Sequence, residues 1–600
     1  MSPEISSKRR WLFICTVGLF MILVFRLLQL QVIGWEHYFG ISEENRVRVV
    51  PIPAPRGLIF DRNGQVLVDN RASYTISLLP FQLKDMEETV GKVSKALGID
   101  ILDLKGRFGV HKTHPYEPVK LKRDVGIKAV SVIEEHRYSL PGVIYQVEPT
   151  RSYPFGTLAA HLLGHVGEIS DDQLSSLRQR GYLLGELVGK AGIEREYEHY
   201  LHGINGTKYL EVDALGREIG ELPGKGARKP QPGFNLYLTI DWRIQRVAEQ
   251  AFSDTLTGAL VAIDPRNGEV LVFVSRPNFD PNIFSGVLSP AIWDSLNSDP
   301  RHPLLNRAIQ SAYPPASTLK MVTAIAALEM GLIDENTKLA PCTGSYKFGN
   351  RWYGCWKEEG HGALSLIDAI AQSCDVYFYQ LGLKVGLKSW NRYARKFGFG
   401  TLTGIDLPGE IPGLVPSDEY YDQRYGKGKW TRGLLLNLVI GQGEILVTPV
   451  QMVQYIAAIA TGKIPQIHLL KEIVSDKGET VFRPNIKNRK LDDISPATFQ
   501  LIRKALLEAV EGEKGTGRFA RVRGFQIAGK TGTAQNPRGE DHAWFAAYAP
   551  FEEPRIAVAA IVEGGGHGAV AAAPLVKKVL EAYLNGTRVQ ATSEPDHMLQ

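Results

Sequence analysis

Cysteine is scarce in this chain: four in 600 residues, namely Cys15, Cys342, Cys355 and Cys374. A fold stapled by a dense disulfide framework is therefore excluded. An excess of charge of one sign is lacking too. The 69 Lys and Arg stand against 64 Asp and Glu, leaving +5. No basic cluster is interleaved with aromatics, so nothing calls for nucleic acid. Long hydrophobic runs are missing with one exception. Trp11 to Phe25 carries no charge, and Leu27 to Ile33 extends the run beyond Arg26. A membrane-spanning helix needs about 20 such residues. Lys8, Arg9 and Arg10 precede the run, which by the positive-inside rule places the N-terminus in the cytoplasm. No small-residue cleavage site follows, so the expectation is an uncleaved anchor and not a removed signal peptide. Arg26 is expected to snorkel to the interface. A buried core helix is the competing reading. With an anchor, the chain beyond residue 36 lies outside the cytoplasmic membrane.

The rest has an ordinary globular composition, 44% hydrophobic and 22% charged, at a length that accommodates several domains. The expected division is a cytoplasmic tail over 1–10, an anchor over 11–33, a pedestal over 36–233, a second unit over 234–585 and a disordered tail over 586–600. The pedestal is polar, strand-rich and broken by Gly and Pro. Arg46 to Val50 alternates as a strand does, and Asp61-Arg62-Asn63-Gly64 reads as a tight turn between strands. Helical stretches are expected between Leu102 and Arg137. No nucleophile–base set occurs in this half. In the second unit, Asn235 to Asp241 reads as a strand and Trp242 to Phe252 as a helix. Gly258 to Asp264 and Glu269 to Val274 form a hairpin about Pro265-Arg266-Asn267-Gly268. Ala543 to Tyr548 and Ile556 to Val562 read as antiparallel neighbours. Strands at both ends with helices between predict an α/β (α+β) unit, a sheet flanked by helices.

Three short motifs carry chemistry. Ser317-Thr318-Leu319-Lys320 follows Pro314-Pro315 and opens an Ala- and Leu-rich run to Met330, with Gly331 beyond, which marks a helix. Ser317 at its start and Lys320 three residues on share a face. A serine hydroxyl needs a base before it attacks, and a lysine held from water near other cations can serve as one. Ser373-Cys374-Asp375 offers a second hydroxyl for a proton relay; taken alone, a helix cap explains it as well. Lys530-Thr531-Gly532-Thr533 is expected on a strand lining a cleft. There Lys530 would hold a substrate carboxylate as a point charge, and Gly532 would let a ligand approach the backbone. An exposed edge strand guarded by a lysine is the plainer alternative. The N–H groups of Ser317 and Thr533 are candidates for an oxyanion hole.

Each motif alone is weak, but their order and spacing are not. Ser317 and Ser373 are 56 residues apart, and Ser373 and Lys530 are 157 apart. The set resembles the penicillin-binding serine transpeptidases. The opening of the pedestal, Glu44-Asn45-Arg46 through Pro55-Arg56-Gly57-Leu58-Ile59-Phe60-Asp61-Arg62-Asn63-Gly64, is similar to class B of that family. Gly189-Lys190-Ala191-Gly192-Ile193-Glu194, Leu201-His202-Gly203 and Gly441-Gln442-Gly443 match it too. Asp375, where most relatives have Asn, resembles the elongation subgroup. The resemblance runs from the anchor to about Leu584. It implies a transpeptidase domain on a dimerisation-type pedestal. It also implies D,D-transpeptidation of peptidoglycan stem peptides through a Ser317 acyl-enzyme, and covalent capture of β-lactams. The implied partners are a RodA-type membrane glycosyltransferase and an MreC-type scaffold protein.

Cys342, Cys355, His361 and Cys374 form a Cys₃His set of the type that holds structural zinc. Elongation-type relatives are expected to carry zinc here with other ligands, and the last three positions fit that spacing. A Cys342–Cys355 disulfide with one free thiol is the competing reading. Two other functions share the acylation site, a β-lactamase and a non-catalytic β-lactam sensor or scaffold. A lactamase needs no 200-residue pedestal. A sensor is expected to have more membrane helices and a cytoplasmic output domain.

Overall fold

The computed structural model describes residues 3–36, 47–83, 85–102, 104–105, 118–183, 185–212, 218–222, 226–286, 288–537 and 539–586. The motif residues Glu44 to Arg46, the helical expectation over 106–117 and the tail beyond Gly586 lie outside the described residues. The first helix, α1 (Pro3–Leu28), continues as a wider turn to Ile33. The stretch Arg9–Ile33 is long and apolar enough to cross a membrane, and its apolar side chains are exposed. This is consistent with a single-pass membrane anchor. Within it Arg26 reaches the side chain of Gln29 at 2.6 Å.

The front half contains β1 (Val47–Ile52), β2 (Ile59–Phe60), β3 (Val66–Leu78), α2 (Met86–Leu97), β4 (Val119–Val125), α3 (Ile127–Glu135), β5 (Val143–Ser152), α4 (Gly192–Glu196), β6 (Gly206–Val212) and β7 (Glu218–Glu221). β1 pairs antiparallel with β6, and β6 with β7. The Asn63-Gly64 turn joins β2 to β3 as expected, with Gly64 at φ 87°. β3 carries β4 and β5 as partners. Val90 and Val93 of α2 and Val130 and Ile133 of α3 close an apolar cluster over this sheet.

The back half contains β8 (Asn235–Leu238), α5 (Trp242–Ala251), β9 (Gly258–Ile263), β10 (Val270–Arg276), α6 (Lys320–Glu329), β11 (Ser345–Phe348), β12 (Arg351–Gly354), α7 (Leu366–Ala371), α8 (Asp375–Val385), α9 (Pro449–Thr461), β13 (Leu470–Val474), β14 (Thr480–Phe482), α10 (Pro496–Glu511), β15 (Ala528–Ala534), β16 (His542–Ala549), β17 (Ile556–Val562) and α11 (Ala572–Leu584). β14, β13 and β8 extend the front-half sheet, with β8 parallel to β2 through Leu236 opposite Ile59. One continuous sheet thus couples the halves.

The back half is built on an antiparallel sheet of order β10–β9–β17–β16–β15. The expected hairpin and the expected pairing of β16 with β17 are both there. All seven residues of β17 are buried, which requires cover on both faces. Ile244 of α5 and Val576 and Val579 of α11 cover one. Val322 of α6 and Ile456 of α9 cover the other. Each fully buried Val or Ile contributes about 1.5–3 kcal/mol. β15 is the edge strand, so its outer side is free to line a groove.

Candidate active site

Ser317 lies in a single 3₁₀ turn, Ala316–Leu319, and the α-helix proper begins at Lys320. The sequence pattern suggested one uninterrupted helix; the tight turn arises because Ala316 takes φ 52°. That left-handed backbone is unfavourable for a residue with a Cβ. It is held by Gly441, whose carbonyl accepts the Ala316 N–H at 2.8 Å. A Cβ on Gly441 would lie 2.1 Å from the Ala316 carbonyl oxygen. The neighbouring Gln442 donates its side-chain amide to the Thr533 carbonyl at 3.0 Å. One short loop therefore ties the serine turn to β15. The Gly441-Gln442-Gly443 triplet signals this in the sequence, but its role needs the contact.

Lys320 is fully buried. Its Nζ donates to the Ser373 carbonyl at 2.8 Å, to Ser373 Oγ at 3.2 Å and to Asp375 Oδ1 at 2.8 Å. It also lies 5.5 Å from the centre of the Phe378 ring. The second motif is thus brought onto the first. Ser373 has φ 58°, a second strained residue at the same place. Asp375 starts α8, and its other oxygen accepts the Trp356 N–H at 3.1 Å. The Trp356 indole donates to the Gln372 carbonyl at 3.0 Å.

The third motif occupies β15 as expected. A Cβ on Gly532 would lie 3.1 Å from the Pro315 carbonyl and 3.2 Å from the Thr318 methyl, a tight fit that favours glycine where the strand passes the serine turn. Gly568 presses from beyond, where a Cβ would lie 2.4 Å from the Gly532 carbonyl. Lys530 is fully buried and donates to the Thr531 carbonyl at 3.0 Å. Burial, then repulsion from Lys320, pushes its amine well below the ordinary lysine value, with Asp375 opposing. Thr531 Oγ1 donates to Thr516 Oγ1 at 2.8 Å, and Thr516 N reaches the Ala371 carbonyl at 3.3 Å. Thr516 lies in the Gly512–Gly517 loop and carries no motif that sequence reading could use. The site therefore gathers two buried lysine side chains, Lys320 and Lys530, around one carboxylate, Asp375.

Behind it, Cys342, Cys355, His361 and Cys374 bring their ligand atoms within 4.8 Å of one another. His361 Nδ1 lies 3.6 Å from Cys342 Sγ and 3.5 Å from Cys355 Sγ. A tetrahedral zinc ion with bonds of about 2.0–2.3 Å separates its ligands by roughly 3.5–3.8 Å. The hydrogen bond from the Cys374 thiol pulls the Cys355 thiol down and raises that of Cys374, so the cluster favours a thiolate. His361 Nε2 is buried and has no protein partner. Donor chemistry and spacing fit zinc. Cys342 and Cys355 are free thiols here. Cys355 and Cys374 directly precede Trp356 and Asp375, which are bonded to each other.

Residues 258–581 match the family described as penicillin binding protein transpeptidase domain, and residues 51–238 the penicillin-binding protein dimerisation domain. Peptidoglycan D,D-transpeptidase MrdA of Acinetobacter baumannii is 35% identical over 94% of this chain and 85% of its own length. The structure of the complex between penicillin-binding protein PBP2 and MreC from Helicobacter pylori superposes with a TM-score of 0.77 at 31% identity, covering 90% of this chain and 99% of that one. A structure described as structural coordination of polymerization and crosslinking by a peptidoglycan synthase complex gives 0.70 at 30% identity, covering 97% and 99%.

Proposed function

The chain belongs to the class B penicillin-binding proteins and is a peptidoglycan D,D-transpeptidase, and on that premise we propose that Ser317 carries the reaction through an acyl-enzyme. Ser317 Oγ attacks the carbonyl of the penultimate D-Ala of a stem peptide. The amide C–N bond breaks, and terminal D-Ala leaves with a proton. An amine on a neighbouring strand then takes the acyl group and frees Ser317. Lys320 is the general base for Ser317. Ser373 and Asp375 relay the proton to the leaving amine, an assignment supported by the three hydrogen bonds of Lys320 Nζ to that segment. Lys530 holds the substrate's terminal carboxylate, with Thr531, Gly532 and Thr533 lining the strand. The N–H groups of Ser317 and Thr533 receive the oxyanion.

The observation that carries this reading is the convergence of the three motifs: Lys320 Nζ is hydrogen-bonded to Ser373 and Asp375 directly after the Ser317 turn, and β15 with the buried Lys530 packs against that turn. A substrate or β-lactam carboxylate near Lys530 would favour the charged form of its amine. The test supplies a pentapeptide donor and an amine acceptor and follows D-alanine release and cross-linked product by mass spectrometry. Wild type forms both, and Ser317→Ala forms neither. Rapid penicillin hydrolysis without cross-linking would mean a β-lactamase, and acylation without either product a sensor.

The cellular setting belongs to the same proposal. α1 anchors the chain once in the cytoplasmic membrane, N-terminus inside, with the catalytic half outside in the periplasm. There it works in cell elongation and rod-shape maintenance beside a RodA-type glycosyltransferase and an MreC-type scaffold protein. Structural likeness to a PBP2–MreC complex and to a peptidoglycan synthase complex supports that placement.

A structural zinc ion held by Cys342, Cys355, His361 and Cys374 completes it. Bound there, zinc would supply cross-linking and no acyl-transfer chemistry. Its ligand residues clamp the 341–362 excursion to the loop bearing Ser373 and Asp375. One zinc per purified chain, lost in Cys374→Ser, is expected by elemental analysis. A metal-free chain with a Cys342–Cys355 disulfide in its peptide map would contradict it.

A further inference from the structure

Beside the groove runs a wall that the acyl-transfer chemistry does not use. It starts at the loop holding the serine turn. Glu444 follows Gly443 there and accepts the phenols of Tyr421 at 3.0 Å and Tyr425 at 2.8 Å. The Trp430 ring lies 5.3 Å from that of Tyr421. Tyr353 of β12 then reaches the Gly433 carbonyl at 3.4 Å, which joins the β11–β12 hairpin to the same segment. The hairpin leads back to Trp356 and so to Asp375. These contacts make one continuous rim along one side of the site.

Its exposed residues include aromatic rings and cations that lack an ion-pair partner among the described residues. Trp352 and Trp356 are 63% and 60% exposed, and Tyr425 is 42% exposed. Stretch 345–357 holds Lys347, Arg351 and Lys357 and no acid; the acids Glu358 and Glu359 come after it. Stretch 424–433 holds Arg424, Lys427, Lys429 and Arg432; the acids Asp418, Glu419 and Asp422 precede it, and Asp422 accepts the Trp430 indole at 2.8 Å. Arg351, Lys427 and Lys429 make no ion pair among the described residues, although surface ion pairs are common elsewhere in the chain. Lys347 lies 5.6 Å from the centre of the Trp352 ring, and Arg424 5.7 Å from that of Tyr425, so each of these cations rests against a ring.

Exposed indoles beside an enzyme groove are costly in water and fit the flat apolar faces of sugar rings. Unpaired cations between them fit carboxylates spaced along a polymer. We propose that this wall, built on the β11–β12 hairpin and the 424–433 segment, binds a glycan strand bearing free stem-peptide carboxylates, and so presents its peptides to the groove. The proposal rests on the transpeptidase reading for its polymer, while the wall itself is read separately.

The test uses the full-length protein in detergent and purified cell-wall sacculi as the probe. Sedimentation is compared for wild type, Arg351→Ala/Trp352→Ala and Lys427→Ala/Lys429→Ala, with melting temperatures to verify folding. A parallel arm uses soluble, labelled glycan strands freed from sacculi by an endopeptidase, with their stem peptides kept or removed by an amidase, and reads binding by fluorescence anisotropy. Each double variant should bind roughly tenfold more weakly, as expected for loss of exposed charge and ring contacts. Amidase-treated strands should bind more weakly than strands that keep their stem peptides, and rising salt should weaken binding of the latter most. Folded variants that sediment like wild type would overturn the proposal. So would amidase-treated strands that bind as tightly as strands with their stem peptides. Penicillin acylation of wild-type Ser317, measured alongside, reports the enzymatic reading by itself.

Discussion

Buried charge is treated in opposite ways in the pedestal and in the catalytic groove. In the pedestal, Arg151 meets Glu194 at 2.5 Å, and Arg56 meets Glu194 and Glu198 at 2.7 Å. Two cations face two anions, and Arg151 also donates to the Gly57 carbonyl at 2.7 Å. The set is balanced and ties the β2 approach, β5 and α4 into one body. In the groove, Lys320 and Lys530 face only Asp375, and two non-glycine residues beside it hold left-handed backbone. A buried ion pair lacking one partner is strongly destabilising. A fold keeps such an imbalance where something else completes it, and under the proposed function that is a substrate carboxylate. On that reading the same element of cost is structural in one half and functional in the other.

That contrast can be broken at either end. The largest effect is expected in the groove. Lys320→Ala should slow acylation by a fluorescent penicillin by about 10²–10⁴-fold, the range general-base removal gives. An unchanged acylation rate would remove Lys320 from the mechanism. In the pedestal, Glu194→Gln strips two arginines of a buried partner and should lower stability by about 3–5 kcal/mol, read as a fall in melting temperature. Surviving folded protein should still acylate at the wild-type rate, since Glu194 touches no groove residue. A slowed rate there would mean that the two ionic sets are coupled.

The smallest effect tests the junction between them. His161 Nε2 donates to the Pro303 carbonyl at 2.8 Å, and His165 stacks on Phe284 at 4.0 Å, so both bridge the halves. Burial, mainly, pushes each imidazole down to about 4. Held neutral, they bind fewer protons than the unfolded chain does once pH falls below about 6.5. Stability from this pair is whole above that value and declines as pH drops toward 4. Thermal melts across that window should show the decline, and His161→Phe/His165→Phe should flatten it. A wild-type curve that stays flat from pH 7 to 4 would contradict the assignment.

Much of this was legible from local signals. Asn63-Gly64, the Pro265–Gly268 turn and the apolar runs over 258–263 and 556–562 specify turns and strands within a few residues, and the structure keeps them. The three motifs met because Ser317 with Lys320, and Ser373 with Asp375, are each set by one turn. What stayed hidden depends on contacts distant in sequence. The parallel pairing of β8 with β2 joins segments across the pedestal. The left-handed Ala316 is imposed by Gly441, and Thr516 enters only because its loop lies against β15. No local pattern encodes these.

The central claim is that Ser317 is the acylated residue. Intact mass followed by peptide mapping after penicillin treatment, on wild type and Ser317→Ala, tests it most directly. The account predicts one long-lived adduct on the peptide containing Ser317, absent from the variant. An adduct that persists in the variant, or that maps to another residue, would contradict it.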